Sequence, residues 1–307
     1  MTDLRERAIG SVLGLALGDA LGAPFEFRRA HKIPSPLPAF ELPWMSMPPG
    51  AWTDDTAMAR NLWLSLIARG GFDPADVLAR HVGWLATDPP DVGNLTRIVL
   101  SQARDGVVDA ARRYVQERGP EVSAGNGSVM YCAPLGVAYA NRPDELFALA
   151  PALSAITHHD ERCRTACLAV TLATAALVRG EAPREAIVAA VRACDGREGD
   201  EELQELVDGA GTVRPIDGPD QGFCFFTTGV ALRTAANAPT FEQGLRDVVS
   251  FGGDTDTNAA VTGSLLGAFH GLDGLPPAWL EKLADREAIA AEAGQLAVLA
   301  AEGAATQ

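Results

Sequence analysis

Small and apolar residues return every three to four positions along most of this chain, the spacing that turns one face of a helix toward a core. Taken with their start and stop signals, these stretches predict helices over 3–21, 56–69, 74–85, 95–102, 107–117, 128–140, 144–157, 162–179, 184–193, 201–209, 228–236, 241–250 and 257–270, with a last one beginning at Arg286. Alternating runs rich in Val, Ile, Thr and aromatics, which a half-buried strand needs, are scarce. The expected fold is all-α, a compact multi-helix bundle, and the lack of a linker makes 1–307 one domain. The helical units differ from one another, so no solenoid is expected.

Two helices depart from the ordinary amphipathic pattern. Gly10, Gly14, Gly18 and Gly22 recur every four residues along one side of 3–21, and each interior glycine gives up about 1 kcal/mol of helix propensity relative to alanine. A cost of that size, repeated, makes sense if another backbone lies against the stripe, which places 3–21 at the centre. The stretch 258–270 is small or apolar on nearly every face, the profile of a buried helix. Seven prolines stand between Pro24 and Pro49, so 31–50 reads as an irregular surface loop of lid type, and Pro24 leaves Glu26 on a loop.

Chemistry enters with two acidic clusters near opposite ends of the chain, Thr53-Asp54-Asp55-Thr56 and Asp254-Thr255-Asp256-Thr257. Each follows a Gly- or Pro-containing stretch and precedes an apolar helical run. A lone Thr-Asp pair there would be an N-cap, since Ser, Thr and Asp cap helices and acids favour the first turn. Two carboxylates per cluster exceed what capping needs, and adjacent negative charges repel unless a cation offsets them. Hard carboxylate and hydroxyl oxygens with no soft donor match Mg²⁺ or Mn²⁺, so the clusters read as halves of one site for two divalent cations.

Four weaker patterns follow. Ser123-Ala-Gly125-Asn126-Gly127-Ser128 has the small residues that let backbone N–H groups approach a diphosphate at a helix start, and is equally a Gly/Asn turn before a capped helix. Thr157-His158-His159-Asp160 lies between two helices, where His158 would donate to a phosphate or ribose oxygen or simply cap a helix. His159, Cys163 and Cys167 share one helical face, a zinc arrangement that lacks a fourth ligand. Phe223, Phe225 and Phe226 offer a stacking face for adenine, although core packing is their commoner use.

Composition narrows the function. A net charge of −15 and an isoelectric point near 4.7 exclude a broad nucleic-acid surface, which needs clustered Lys and Arg. Five cysteines without a dense framework fit reduced thiols and a cytoplasmic location. Arg5 and Arg7 before the apolar Ile9 to Leu17 faintly resemble a secretion signal, against which Asp19 and the glycine stripe count. No uninterrupted apolar run reaches about 20 residues, so no membrane span is expected.

The order of these motifs carries a resemblance. Gly18-Asp19-Ala-Leu-Gly22 with Glu26, Trp52-Thr-Asp-Asp-Thr56, Gly125-Asn-Gly127, Thr157-His158 and Phe251-Gly-Gly-Asp-Thr-Asp-Thr-Asn258 together resemble the ADP-ribosylglycohydrolase family, over residues 5 to about 270. The resemblance implies an all-α bundle with a dimetal cleft, in which Thr53, Asp54, Asp55, Asp254, Asp256 and Thr257 hold two Mg²⁺ or Mn²⁺ ions. It places Glu26, with Asp54 and Asp55, in the catalytic step, the diphosphate on Ser123, Gly125, Asn126 and Gly127, and His158 beside the ligand. Val122 and Ala124 flank Ser123 where the family often has Gly and an aromatic. The implied activity is metal-dependent hydrolysis of the bond joining ADP-ribose to a protein side chain, nucleobase or small molecule, by a monomer that binds no membrane. Two alternatives are a catalytically silent ADP-ribose reader and a helical His-Asp phosphohydrolase built on His81, His159 and Asp160.

Overall fold

Among residues 3–209 and 216–302, which the computed structural model describes, fifteen α-helices carry the chain. They are α1 (Leu4–Gly22), α2 (Asp54–Arg69), α3 (Pro74–Leu85), α4 (Asn94–Arg104), α5 (Ala110–Arg118), α6 (Ala133–Ala138), α7 (Pro143–Ser154), α8 (Glu161–Val178), α9 (Pro183–Arg192), α10 (Asp200–Asp208), α11 (Cys224–Asn237), α12 (Phe241–Ser250), α13 (Thr255–His270), α14 (Pro277–Leu280) and α15 (Arg286–Glu302). Two short strands, β1 (Arg28–Arg29) and β2 (Gly252–Gly253), pair antiparallel with Arg28 opposite Gly253. The all-α expectation therefore holds.

Several helix boundaries differ from the sequence reading, three of them for clear local reasons. The helix expected over 128–140 is reduced to Ala133–Ala138, because Val129 and Met130 both donate to the Asn126 carbonyl in a tight turn and Pro134 suits only a first helical turn. The helix expected from 107 starts at Ala110, after Asp109 takes a left-handed φ of 55°. The helix expected from 228 starts at Cys224, as the edge-to-face rings of Phe223, Phe225 and Phe226 pack its first turn and override their modest helix propensity.

Helix α1 lies directly on α13. A Cβ built on Gly10, Gly14, Gly18 or Gly22 would come closer than 3.0 Å to the backbone of Gly267, Gly263, Ala259 or Thr255 respectively. Gly263 and Gly267 return the constraint toward Gly14 and Gly10. The approach lets Ser11 and Ser264 share a hydrogen bond of 2.8 Å, and Thr255 donate to the Gly22 carbonyl at 2.8 Å. α8, α11 and α12 complete the packing around α13, which is why it shows no polar face. By length and composition Leu4–Phe25 would suffice to cross a membrane, but 94% of its most apolar stretch is buried inside the protein, the situation of a core helix.

The start of α2 is brought to this pair by one buried carboxylate on α1. Asp19 accepts from the Thr53 and Thr56 amides at 3.0 Å and from the Thr56 hydroxyl at 2.5 Å. The far side of α2 is tied to α15, where Glu292 takes a bidentate pair from Arg60 and a 2.8 Å bond from the Trp63 indole.

A matched pair of substitutions tests the backbone contact. Gly14→Ala should cost about 1–3 kcal/mol by forcing α1 and α13 apart, despite the better helix propensity of alanine. Gly83→Ala, on the exposed side of α3 with nothing within 4 Å of the new Cβ, should gain up to about 1 kcal/mol. Urea unfolding of both variants reads the difference, and equal stabilisation by the two would remove the contact from the account.

Candidate active site

The N-terminal ends of α2 and α13 converge on one cavity of about 210 Å³, lined by Glu26, Asp54, Asp55, Asp91, Asp254, Asp256 and Thr257 among others. The two acidic clusters meet there: the Thr257 hydroxyl donates to Asp55 Oδ2 at 3.3 Å, across 202 residues of sequence. Glu26 reaches them because Phe27 donates to the Gly253 carbonyl at 2.7 Å and β1 pairs with β2, which sets residue 26 beside residue 254. Carboxylate oxygens of Glu26, Asp91 and Asp256 lie within 4.8 Å of one another. The loop 31–50 contributes Trp44, which hydrogen-bonds to Glu26.

Burial and mutual repulsion dominate the electrostatics. Burial, with Asp254 and Asp91 nearby, pushes the Glu26 carboxyl up to about 8. Burial, with Asp91 and Asp19, pushes Asp54 up to about 7. Asp55 and Asp256 are driven well above the ordinary carboxylate range by burial and by their acidic neighbours. Among the described residues, no Lys or Arg lines the cavity, and Asp55 Oδ1 is buried with no hydrogen-bond partner. An orphaned carboxylate oxygen facing a set of hard oxygen donors is what a small divalent cation would satisfy.

The loop 123–128 and His158 contribute a further part of the wall. Gly125, Asn126, Gly127 and His158 line the cavity. The loop is held against the start of α11: Asn126 donates to the Gly222 carbonyl at 2.9 Å, and Cys224 to the Ala124 carbonyl at 3.0 Å. The Asn126 side chain donates to Asp254 Oδ2 at 2.8 Å, so this loop also orients the acidic cluster. Glycine is required at 127, where a Cβ would fall 2.8 Å from the His158 ring. The loop does not run directly into a helix start as expected, because α6 begins only at Ala133.

Two of the expected site residues face elsewhere. Ser123 is fully buried behind the loop, and its hydroxyl donates to Asp160 Oδ2 at 2.7 Å. Thr53 caps α2, its hydroxyl bonded to the Asp55 amide and lying 3.3 Å from Asp55 Oδ2, so it orients Asp55 rather than lining the cavity. The sequence reading missed Asp91, which stands in the turn Asp88-Pro-Pro-Asp91 between α3 and α4. Its signal was only one acid in a loop before a helix. It also missed the role of Asp19, a residue of the motif that carries the family resemblance, in tying the start of α2 to α1.

The alternative sites do not assemble. Among the described residues, His159, Cys163 and Cys167 form no metal-ligating group, and Cys163 and Cys167 spend their thiols on the Gly125 carbonyl and the Ser128 hydroxyl. His81 is fully buried against Asn61 and Tyr131, and burial lowers it to about 3. Asp160 is engaged by Arg162 and Ser123, so a His-Asp phosphohydrolase centre is not built.

Comparison with known proteins agrees with this geometry. A family model described as ADP-ribosylglycohydrolase matches residues 1–305. The ADP-ribosyl-[dinitrogen reductase] glycohydrolase of Rhodospirillum rubrum is 33% identical over 291 residues, covering 91% of each chain. The ADP-ribosylarginine hydrolase Tri1 of Pseudomonas putida (strain GB-1) is 28% identical over 91% of this chain and 74% of its own. A solved chain from an ADP-ribosylglycohydrolase-related protein complex superposes with a TM-score of 0.81 at 36% identity, covering 97% of this chain and 99% of that one. With its whole length matched and its acidic motifs gathered in one cleft, the chain belongs to the ADP-ribosylglycohydrolase family and is an enzyme, a hydrolase of that family.

Proposed function

We propose that this enzyme hydrolyses the N-glycosidic bond between ADP-ribose and an arginine guanidino group, using two divalent cations, Mg²⁺ or Mn²⁺. The observation that carries the metal requirement is the buried convergence of Asp54, Asp55, Asp254, Asp256 and Thr257 in a cavity that no Lys or Arg lines among the described residues. Those five residues would hold the ions, with Thr53 fixing Asp55 from behind. Bound there, such ions polarise a water molecule, lower its pKa and stabilise charge at the breaking bond.

The remaining work falls to the chain itself. Gly125, Gly127 and His158 would hold the diphosphate, so that binding energy remote from the bond positions the ribose. Glu26 would move the proton: the C–N bond breaks, the anomeric carbon takes oxygen from water, and the released proton reaches the departing nitrogen through the Glu26 carboxylate. Asp91 bears on the choice of acceptor. It is a carboxylate at the cleft in addition to the two clusters, suited to a departing cation. Two of the relatives support the same acceptor through their names, both as ADP-ribosylarginine hydrolases, and a third is named for an ADP-ribosylated protein, dinitrogen reductase.

Asp256→Asn should lose Mn²⁺ binding and ADP-ribose release together. Glu26→Gln should bind ADP-ribose within a few-fold of wild type while kcat falls by about 10²–10⁴. Calorimetric titration beside a release assay on ADP-ribosylated arginine, serine and nucleic-acid substrates separates these cases, and full release by chelator-treated protein would overturn the metal requirement.

A pH effect on stability follows from the raised carboxyls. Without metal, Glu26 near 8 and Asp54 near 7 hold protons in the folded state that the unfolded chain releases near pH 4. Folding therefore binds protons in that window, and stability should fall as pH rises from about 4 to about 8. Divalent ions compete with those protons, so Mn²⁺ should raise Tm by more at pH 8 than at pH 5.5. Scanning calorimetry in chelator and in Mn²⁺ measures both, and a Tm gain from Mn²⁺ that is equal at the two pH values would contradict the link.

A further inference from the structure

His158 is held by a buried chain of hydroxyls that the proposed reaction does not use. Its amide donates to the Ser154 carbonyl at 2.7 Å, and its carbonyl accepts from the Ser154 hydroxyl at 2.9 Å, so the backbone under the ring is pinned at both ends. Nδ1 lies 3.0 Å from Thr157 Oγ1, and the same oxygen lies 2.9 Å from the Tyr131 hydroxyl. Tyr131, Thr157 and His158 are all buried. Nε2, on the other side of the ring, faces the cleft between Gly125 and Gly127.

Three protons must be placed along this chain: one on the tyrosine, one on the threonine and one on the imidazole. If Nδ1 carried the imidazole proton and donated it to Thr157, the threonine could pass its own only to Tyr131, leaving the phenolic proton buried without an acceptor. If both neighbours donated to Thr157, the threonine proton would be stranded instead. A buried unmade donor costs about 1–3 kcal/mol, so both arrangements are disfavoured. In one arrangement every proton is used: Tyr131 donates to Thr157, and Thr157 donates to Nδ1.

We propose that Tyr131 and Thr157 are positioning residues that fix His158 as the neutral tautomer protonated on Nε2, so that it presents a single uncharged N–H donor to an oxygen of the bound ligand. Burial keeps the Tyr131 phenol above its usual range, so its proton stays available for donation. Burial also lowers His158 to about 4, against a weaker opposing pull from Asp160, so the ring is neutral at physiological pH. A neutral donor suits a cleft already crowded with carboxylates, because it grips a phosphate oxygen without pairing with Asp54 or Asp254 in the empty enzyme. The contact with ligand rests on the reading of the cleft as an ADP-ribose site. The tautomer does not.

The test is nitrogen NMR of ¹⁵N-histidine-labelled, metal-free protein near pH 7, with the His158 signals identified among the five histidines by their loss in His158→Gln. Wild type should show Nε2 protonated and Nδ1 in the unprotonated range. Thr157→Val should blur that signature toward a tautomer mixture and weaken ADP-ribose binding at least tenfold, a size typical for loss of a residue that orients a binding group. Thr157→Ser, which keeps the hydroxyl, should preserve both and guards against a mere folding defect. A wild-type ring protonated on Nδ1, or a Thr157→Val protein with unchanged signals and affinity, would overturn the proposal. If wild-type protein failed to bind ADP-ribose, the cleft reading would fall while the spectra still decided the tautomer.

Discussion

The contact between α1 and α13 is the constraint on which the other features depend. Two helices pack this closely only where at least one lacks a Cβ at each crossing position, and the chain meets that condition with Gly10, Gly14, Gly18 and Gly22 on one side, faced by Gly267, Gly263, Ala259 and Thr255 on the other. The glycines weaken each helix in isolation by about 1 kcal/mol per residue. Burial of α13 on all sides offsets that cost and leaves its N-terminal turn, with Asp254 and Asp256, no freedom to swing. The same helix α1 carries Asp19, whose carboxylate accepts from three donors on Thr53 and Thr56 and so sets α2 against the pair. One helix–helix distance thus fixes both halves of the acidic cluster.

The cluster itself runs against stability. Burying like charges is costly, and the carboxyls respond by holding protons well above their ordinary range. Among the described residues no arginine or lysine lines the cavity, although the chain uses such pairs freely elsewhere, as between Arg60 and Glu292. Groups kept in so unfavourable a setting by a rigid scaffold are those whose partner comes from outside the chain. The protein's own hydrogen bonds do the aiming: Thr53 and Thr257 hold Asp55, Asn126 holds Asp254, and the Gly93 amide reaches Asp54 at 3.4 Å.

Much of this was legible before any coordinates. The glycine spacing announced a close helix contact, and two Thr/Asp clusters with more acid than capping needs announced a shared site. Residues whose role depends on distant neighbours were harder to read. Asp91 has no patterned company in sequence and becomes meaningful only when α3 and α4 turn it toward Glu26 and Asp256. Ser123 sits in a loop of binding type, yet Arg162 draws Asp160 into reach and the hydroxyl turns inward. The stretch 128–132 reads as the start of a helix from its mostly apolar residues, and only the paired bonds to the Asn126 carbonyl reveal it as a turn. Thr157 was legible only as part of a motif and Tyr131 only as one position in an expected helix, since their link through one oxygen is a tertiary fact.

Anomalous diffraction at the manganese edge, from crystals grown with Mn²⁺, tests the central claim most directly. The account predicts two peaks between the first turns of α2 and α13, within bonding distance of Asp54, Asp55, Asp254, Asp256 and Thr257. Crystals soaked in saturating Mn²⁺ that showed no peak there, with the two sets of aspartates turned apart, would contradict it.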